Sequence, residues 1–333
     1  MREWLYEAGI GEARAALIED GSIVAAEIEA DDDGIRAGSI AEARLTRVVA
    51  PGRRAIVLLD DGTEALIEPV PSGVAEGGRL RVEIHRAALP EPGRAKLALA
   101  RLAGADAVLG EGADLLARIA ASGVAVRQIQ PHQPDALEAA GWSELLEEAA
   151  SGHALFDGGA LQLSLTPAMS LIDVDGWLPA TELAVAGAAA AARMIVRHGV
   201  GGSIGIDLPT VGGKATRQAA AEAIDAILPQ PFERTAVNGF GFLQIVRRRA
   251  QPSLPERVQR DPVGAAARAL LRRAERTPGA GARTLTAAPA VIALIERRPA
   301  WRDALARRIG AAIVLRADAG LTISAGHVDA QNP

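Results

Sequence analysis

With 333 residues, of which 49% are hydrophobic, the chain is long enough to bury a large core and to form two or three domains. It contains no cysteine, which excludes disulfides and thiolate metal sites. No segment has the length and hydrophobicity of a membrane span or a secretory signal, so we expect a cytoplasmic protein without a membrane partner.

The net charge of -5 gives no overall attraction to nucleic acid, but charge is unevenly distributed along the chain. Residues 244–316 contain 16 arginines and 5 acidic residues, a net charge of +11, which leaves -16 for the remainder. This basic region is compatible with an anionic partner bound locally. The alternative is that its arginines lie on solvated helix faces.

The first 35 residues predict the edge of a sheet. Strand patterns occupy residues 3–9, 15–19 and 23–28, and the last two flank Asp20-Gly21, a strong signal for a hairpin turn. Five acidic residues follow closely: Glu27, Glu29, Asp31, Asp32 and Asp33. We interpret this acidic run as a solvated loop rather than a metal site.

Residues 36–102 predict a small antiparallel β-barrel of the OB type, with short strands at 42–49, 55–59, 64–67, 80–85 and 96–100. Such barrels often bind single-stranded nucleic acid by pairing basic residues with aromatic platforms. The basic residues are Arg44, Arg47, Arg53, Arg54, Arg79, Arg81, Arg94 and Lys96. The aromatic residues are missing, because this span contains no Phe, Tyr or Trp.

Residues 103–158 change to an α/β pattern. We predict strands at 107–109 and 125–130 and helices at 113–122 and 142–151.

The segment SLIDVDG, residues 170–176, predicts a buried strand that contains Asp173 and Asp175 on one face. A helical pattern at 181–198, with Thr181 as a candidate N-cap, leads to a second strand that ends in Asp207. The strands of such a βαβ unit are parallel and usually adjacent, so Asp173 and Asp207 should meet at one edge of the sheet. Carboxylates without cysteine or a histidine pair suit Mg²⁺ or Mn²⁺. The alternative is that each aspartate caps a strand end or a turn.

After Asp207 we predict a helix at 214–228 and a strand at 242–247. Gly212-Gly213-Lys214 lacks the full spacing of a phosphate loop, which argues against nucleotide binding. The last third predicts helices at 262–276 and 289–309, strands at 283–285 and 312–315, and a frayed tail from residue 329.

Three motifs in order resemble the catalytic region of the ribonuclease E/G family of bacterial endoribonucleases: LSLTPAMSLIDVDG, RMIVRHGVGGSIGIDL and NGFGFLQIVRRRAQPSL. The resemblance implies an α/β (α+β mixed) fold with an RNase H-like/DNase I-like catalytic core, an inserted OB-type barrel and a small C-terminal α/β subdomain. It implies boundaries of 1–35 for the N-terminal RNase H-like strands, 36–102 for the barrel and 103–158 for the rest of the RNase H-like region. The nuclease core would span 159–255 and the C-terminal subdomain 256–330.

The resemblance places the family's two magnesium-binding aspartates at Asp173 and Asp207. Asp175 stands where the family usually has Asn, a residue that supports the scissile phosphate or a water molecule. Other positions depart from the family. PERVQRDPVG, residues 255–264, lacks the cysteines that bind a zinc shared by two protomers, and the segment that senses a 5′-monophosphate is missing. Thr210 replaces a common Asp.

We therefore predict a Mg²⁺-dependent endoribonuclease that cleaves single-stranded RNA, with catalytic residues Asp173, Asp175 and Asp207 and no zinc. We expect RNA contacts from Arg247, Arg249, Lys214, Arg217, Arg44, Arg47 and Lys96, and we expect Arg248 to face away from its neighbours. Two alternatives remain: an RNA-binding protein without nuclease activity on the same fold, and an unrelated hydrolase of small phosphorylated substrates. A homodimer not linked by zinc would use the stripe of Val291, Leu294 and Ile295, unless that stripe packs inside its own chain.

Overall fold

The computed structural model describes residues 2–90, 96–279 and 281–330. The predicted barrel cation Arg94 and the last three residues of the predicted frayed tail lie outside these ranges. The described residues form a mixed α/β fold with three open sheets and one closed five-stranded barrel. Within them, no helix combines the length and apolar character that a membrane crossing requires.

In chain order the strands are β1 Arg2–Ala8, β2 Glu12–Glu19, β3 Ser22–Ala30, β4 Ile40–Ala50, β5 Arg54–Leu59, β6 Glu64–Ile67, β7 Arg79–Arg86, β8 Ala98–Leu102, β9 Val126–Gln128, β10 His153–Phe156, β11 Gly159–Leu165, β12 Ser170–Gly176, β13 Gly202–Asp207, β14 Phe232–Arg234, β15 Phe242–Arg247, β16 Arg283–Ala287, β17 Ile313–Ala317 and β18 His327–Ala330. The helices are α1 Leu115–Ala120, α2 Ala136–Ala139, α3 Trp142–Ser151, α4 Ala180–Arg197, α5 Lys214–Ile227, α6 Leu254–Arg260, α7 Pro262–Arg276, α8 Pro289–Arg297 and α9 Pro299–Ile309.

The N-terminal sheet has the strand order β3-β2-β1-β9, and the predicted hairpin between β2 and β3 is confirmed. Its turn residues Asp20 and Gly21 have φ values of 50° and 82°, the left-handed conformation that a two-residue hairpin turn requires. The interpretation of the acidic run as a solvated loop holds for Asp31 and Asp32, which lie in an exposed turn, but it is wrong for Glu27 and Glu29, which belong to β3. Glu29 binds Arg118 at 2.7 Å and Asp33 binds Arg257 at 2.5 Å, so these carboxylates join distant segments of the chain.

The predicted barrel is confirmed as a closed barrel with the strand order β4-β5-β6-β8-β7. Alternate side chains such as Leu45, Val57 and Val82 are fully buried inside it, as the period-two pattern requires. The predicted strand at 107–109 is absent. Val108 is exposed, and the adjoining chain forms only one isolated bridge, between Gly110 and Ile40. Because Val108 and Leu109 are exposed, burial does not stabilise this three-residue run as a strand.

The largest sheet has the order β10-β11-β12-β13-β15-β14, and helices α4 and α5 cover one of its faces. The helix α4 begins at Ala180 with Pro179 in the capping position, so Thr181 is not the N-cap. The opposite face carries the exposed side chains of β11, β12 and β13, among them the candidate acids.

The C-terminal region packs α7, α8 and α9 against the sheet β17-β16-β18. The predicted helix at 289–309 is split at Pro299, which cannot donate a backbone hydrogen bond and disfavours helical backbone before it. The predicted fraying is wrong for Asp329 and Ala330, which pair with β16. Val291 and Ile295 are buried in this core, so the stripe offered for a dimer packs inside its own chain.

Three of the four arginines of α7 contradict both interpretations of the basic region, because they contact acidic residues of the N-terminal sheet or its neighbours. The fourth, Arg273, is exposed and donates to the backbone carbonyls of Ala269 and Gly326. The pairs are Arg268 with Glu12 and Asp261, Arg272 with Glu12, and Arg276 with Glu7 and Asp135. The uneven charge of the sequence therefore balances inside the fold.

Candidate active site

Two neighbouring strands carry the predicted acids. Along β12 the side chains alternate: Ile172 and Val174 are buried against α4, whereas Asp173 and Asp175 are exposed on the other face of the sheet. The expectation that Asp173 lies inside a buried strand is therefore wrong. Only the face of β12 beneath the helices is buried.

The crossover places the second acid beside the first, as predicted. The strands β12 and β13 are parallel neighbours, with Asp173 opposite Asp207 in the register, and adjacent strands lie about 4.8 Å apart. The connecting helix α4 approaches β12 closely, since a Cβ on Gly187 would lie 2.3 Å from Cγ1 of Val174. Only glycine permits this approach without a shift, and the close packing holds β12 under the helix layer.

Asp175 extends the acidic group past the end of β13. It lies on the same face as Asp173 and pairs with Ala160 of β11, whereas β13 ends at Asp207. The three carboxylates therefore line the corner where β13 stops. We call Asp173, Asp175 and Asp207 the acidic corner.

The charges of the acidic corner repel one another. Partial burial raises the pKa of Asp173, the charges of Asp175 and Asp207 raise it further, and a hydrogen bond from the Val174 backbone opposes the shift. Throughout the part of the chain that the structure describes, no arginine, lysine or histidine forms an ion pair with these three acids. A bound cation would relieve this repulsion.

The helix α5 begins near the same edge, after the loop that follows Asp207. Its N-cap, Gly213, provides no side-chain acceptor, and Lys214 is exposed in the first turn. Arg217 donates hydrogen bonds to the carbonyls of Val211 and Gly212 at 3.0 and 3.1 Å. Of the two cations predicted to contact RNA here, Lys214 has an exposed side chain, whereas the side chain of Arg217 is hydrogen-bonded to the loop that precedes α5.

The other two predicted arginines of this region do not lie beside the acids. In the antiparallel pair of β13 and β15, Phe242 is opposite Asp207 and Arg247 is opposite Gly202. Five strand residues separate these positions, a distance of about 17 Å. The expectation that Arg247 lies near the acids is wrong because β15 runs away from them.

Both arginines have internal partners instead. Arg247 donates to the Val200 carbonyl at 3.2 Å, and burial lowers its pKa. Arg249 forms an ion pair with Glu256 in the first turn of α6. The first contact joins β15 to the segment before β13, and the second joins the end of the sheet to α6.

The barrel cations have mixed surroundings. Arg44 and Arg47 are exposed on β4, and Arg44 lies opposite Arg79 of β7. Arg81 pairs with Glu42 at 2.8 Å, whereas Lys96 forms a backbone bridge with Leu89 at the start of its segment.

Arg248 is exposed just past the end of β15 and lies close enough to the barrel to affect the pKa of His85. Burial lowers the pKa of His85, and the charges of Arg101, Arg86 and Arg248 lower it further.

Sequence reasoning missed the aromatic residues beside the acidic corner. Trp177 follows Asp175 by two residues, Phe240 lies in the turn before β15, and Phe242 is opposite Asp207. The prediction about aromatic platforms concerned only the barrel. The available signal was the position of Trp177 and Phe240 next to glycines in the two segments that flank the acids.

Compared with known proteins, the chain matches no family model, and no curated protein matches it in sequence.

Proposed function

We propose that this chain is a Mg²⁺-dependent endoribonuclease that cleaves single-stranded RNA. The observation that carries the proposal is the acidic corner: three carboxylates from two adjacent strands share one exposed edge and have no cationic partner among the described residues. Uncompensated carboxylates at the carboxyl ends of parallel strands are typical of sites that bind a cation or a ligand.

The donor set fits Mg²⁺ or Mn²⁺. Asp173 and Asp207 would hold the ion through oxygen ligands, with Asp175 within the same corner. Among the residues that the structure describes, no three acidic or histidine side chains are arranged as a ready metal cage. Mg²⁺ does not need one, because it commonly uses one or two carboxylates and takes water and substrate phosphates as its other ligands. Once bound, the ion would act as a Lewis acid toward a phosphodiester.

The positions of the three family-like motifs support the same proposal. The first motif covers the end of β11 and all of β12, the second covers the end of α4 and β13, and the third covers β15 and the approach to α6. All three thus belong to neighbouring elements around the acidic corner. On this basis we extend the proposal to an RNase H-like/DNase I-like core and to products with a 5′-phosphate and a 3′-hydroxyl.

Cations near the corner and on the barrel would contact the RNA backbone. Lys214 is exposed at the start of α5, and Arg44 and Arg47 are exposed on the barrel. Exposed lysines and arginines supply most of the sequence-independent affinity for a polyanion. We place Arg247 and Arg249 outside this set because of their internal contacts.

A second candidate is an RNA-binding protein without nuclease activity. The observation that favours it is the internal use of Arg247 and Arg249, which leaves fewer cations at the corner. A hydrolase of small phosphorylated substrates has less support. Three cavities of about 170, 220 and 500 Å³ occur among the described residues, and the acids of the corner line none of these three.

The test is incubation of the protein with a labelled single-stranded RNA, with and without Mg²⁺. The parent should cleave only with the metal, and Asp173→Asn should lose at least about 100-fold in rate, as expected for loss of a metal carboxylate. The matched control is Asp303→Asn, which removes an exposed carboxylate on α9. Binding without metal-dependent cleavage would favour the non-catalytic alternative. Cleavage by Asp173→Asn at the parental rate would contradict the assignment of the site.

A further inference from the structure

The aromatic residues of this chain are few, and their exposure is uneven. Of nine Phe, Tyr and Trp residues, only two are strongly exposed: Trp177 at 75% and Phe240 at 82%. The other three tryptophans, Trp4, Trp142 and Trp301, are at most 6% exposed. An exposed ring leaves a large apolar area in water, so a ligand that covered these two rings would gain binding free energy from their burial.

Both exposed rings lie beside the acidic corner. Trp177 is two residues beyond Asp175, and its backbone N–H donates to the Gly158 carbonyl at 3.1 Å. Phe240 lies two residues before Phe242, the residue opposite Asp207. Trp177 therefore continues β12, and Phe240 comes from the turn before β15, the strand that pairs with β13 on its other side.

The backbone around Phe240 is fastened to the loop that follows Asp207. The Thr210 hydroxyl donates to the Phe240 carbonyl at 3.0 Å, and the Leu208 N–H donates to the Gly241 carbonyl at 3.2 Å. Gly241 has a φ of 92°, and a Cβ there would lie 2.1 Å from the Leu208 carbonyl oxygen. This turn presents Phe240 at a set position relative to Asp207, without burying its ring.

A third ring continues the surface between them. Phe242 is partly buried, and its ring lies across Gly205 on the open face of the sheet, since a Cβ at Gly205 would come within 2.6 Å of it. Gly205 is two residues before Asp207 on β13. Aromatic side chains therefore lie near the acids both on the open face of the sheet, at Phe242, and beyond the ends of the strands, at Trp177 and Phe240.

The charged residues near the two exposed rings indicate which kind of ligand would cover them. The core of a protein interface is depleted of charge, whereas here three exposed carboxylates lie on the strands next to the segments that carry the exposed rings. An unpaired nucleobase is neutral and planar and stacks on an aromatic ring, while its phosphate is drawn to a cation. Rings on both sides of a cation site therefore match a single strand whose bases alternate with phosphates.

We propose that Trp177 and Phe240 are stacking platforms for unpaired bases on the two sides of the phosphodiester that lies at the acidic corner. This inference rests on the proposed function for the identity of the phosphate, and it assigns substrate positioning to residues outside the barrel. It also explains how a chain whose barrel lacks aromatic residues would hold single-stranded RNA. A base pair within a duplex hides its stacking faces, so duplex RNA should not use these rings.

The experiment measures quenching of tryptophan emission, to which Trp177 alone is accessible because the other three tryptophans are buried. A short single-stranded 2′-O-methyl oligouridine is titrated into the full chain with Mg²⁺ present, and its integrity is checked afterwards. An abasic oligonucleotide and a duplex of equal length serve as control probes. We expect quenching by the oligouridine and little by either control. Equal quenching by the abasic probe would overturn the inference, since that probe carries phosphates without bases.

Variants separate stacking from simple apolar contact, and their affinities are measured by anisotropy of a labelled oligouridine. Trp177→Phe keeps a ring and should bind close to the parent, whereas Trp177→Leu and Phe240→Leu should each bind about 10-fold more weakly. The matched control is Val314→Ala on β17, which shortens an exposed apolar side chain in another sheet. Parental affinity in both leucine variants would overturn the inference.

The result is independent of whether the chain cleaves RNA. Base-dependent quenching without any cleavage would support the stacking platforms and contradict the nuclease proposal. Metal-dependent cleavage with an unchanged KM in both leucine variants would support the nuclease and contradict the platforms.

Discussion

Two acidic regions of this molecule differ in what surrounds them. In the N-terminal sheet, Glu7 and Glu12 are buried, and guanidinium groups contact both of them. In the six-stranded sheet, the acids of the acidic corner are exposed and repel one another. The contacts of the buried region are Glu7 with Arg14 and Arg276, and Glu12 with Arg268 and Arg272.

The difference separates a structural use of acidic residues from a ligand-binding one. A buried carboxylate is very costly unless it is paired, so the fold itself must supply the partners of Glu7 and Glu12. Exposed carboxylates repel one another only weakly in water, so the fold tolerates the acidic corner without partners. Its missing counter-charge is what a bound cation would supply.

The largest effect should come from breaking the buried region. Glu7→Gln would leave Arg14 and Arg276 with Asp135 as their one remaining carboxylate and so one buried positive charge without a counter-charge, and we expect a loss of about 3–5 kcal/mol in the free energy of unfolding. Urea unfolding measures this. Glu296→Gln, an exposed residue on α8, is the control and should change little. If both variants lost equally little stability, the buried carboxylate of Glu7 would contribute no more to the free energy of unfolding than an exposed one.

Binding of Mg²⁺ should stabilise the parent through the acidic corner. A ligand at 100 times its Kd adds about 2.7 kcal/mol to the stability of the state that binds it. We expect thermal unfolding of the parent to shift upward with Mg²⁺, and the shift to vanish in Asp173→Asn while Asp303→Asn retains it. Retention of the shift in Asp173→Asn would place the metal elsewhere.

The fold accommodates the buried side chain of His198 differently from the buried carboxylates, by keeping its imidazole ring neutral. It is 1% exposed, and burial lowers its pKa although Glu148 lies 3.3 Å from Nε2. Below about pH 6.5 the unfolded chain takes up a proton that the folded chain resists, so stability is present above that pH and is lost as pH falls. Each unit of pKa difference amounts to about 1.4 kcal/mol.

The measurement is urea unfolding of the parent and His198→Gln between pH 7.5 and pH 5.5. The variant should lose less stability than the parent over this window. Replacement of the exposed His132 by Gln is the control and should leave the pH dependence unchanged. A parental pH dependence in His198→Gln would show that other groups cause it.

The smallest effect tests the repulsion within the acidic corner. Because the pKa of Asp173 is raised, the folded chain binds this proton more tightly than the unfolded chain, so the contribution of Asp173 to stability increases as pH falls. At neutral pH without metal, Asp173→Asn should therefore stabilise the fold, by less than about 1 kcal/mol because the group is largely solvated. A destabilised variant in metal-free urea unfolding would mean that Asp173 has a structural partner.

Patterns of neighbouring residues were sufficient for much of the fold. The alternation in β4 to β7 predicted the barrel, and Asp20-Gly21 predicted the hairpin. The βαβ pattern with its right-handed crossover predicted that Asp173 and Asp207 would meet, and the register confirms it. These features depend on side-chain periodicity and turn geometry within short segments.

The sequence by itself thus determined the strand and helix pattern, the barrel and the pairing of two acids. Only the tertiary structure decided which face of β12 meets solvent, that Arg247 lies at the end of β15 far from the acids, and that Arg276 contacts Glu7 across 269 residues of sequence. The physical reason is that exposure and ion pairing depend on groups far apart in the chain. Those groups become neighbours only when the sheets and helices pack, and no local sequence pattern predicts these contacts.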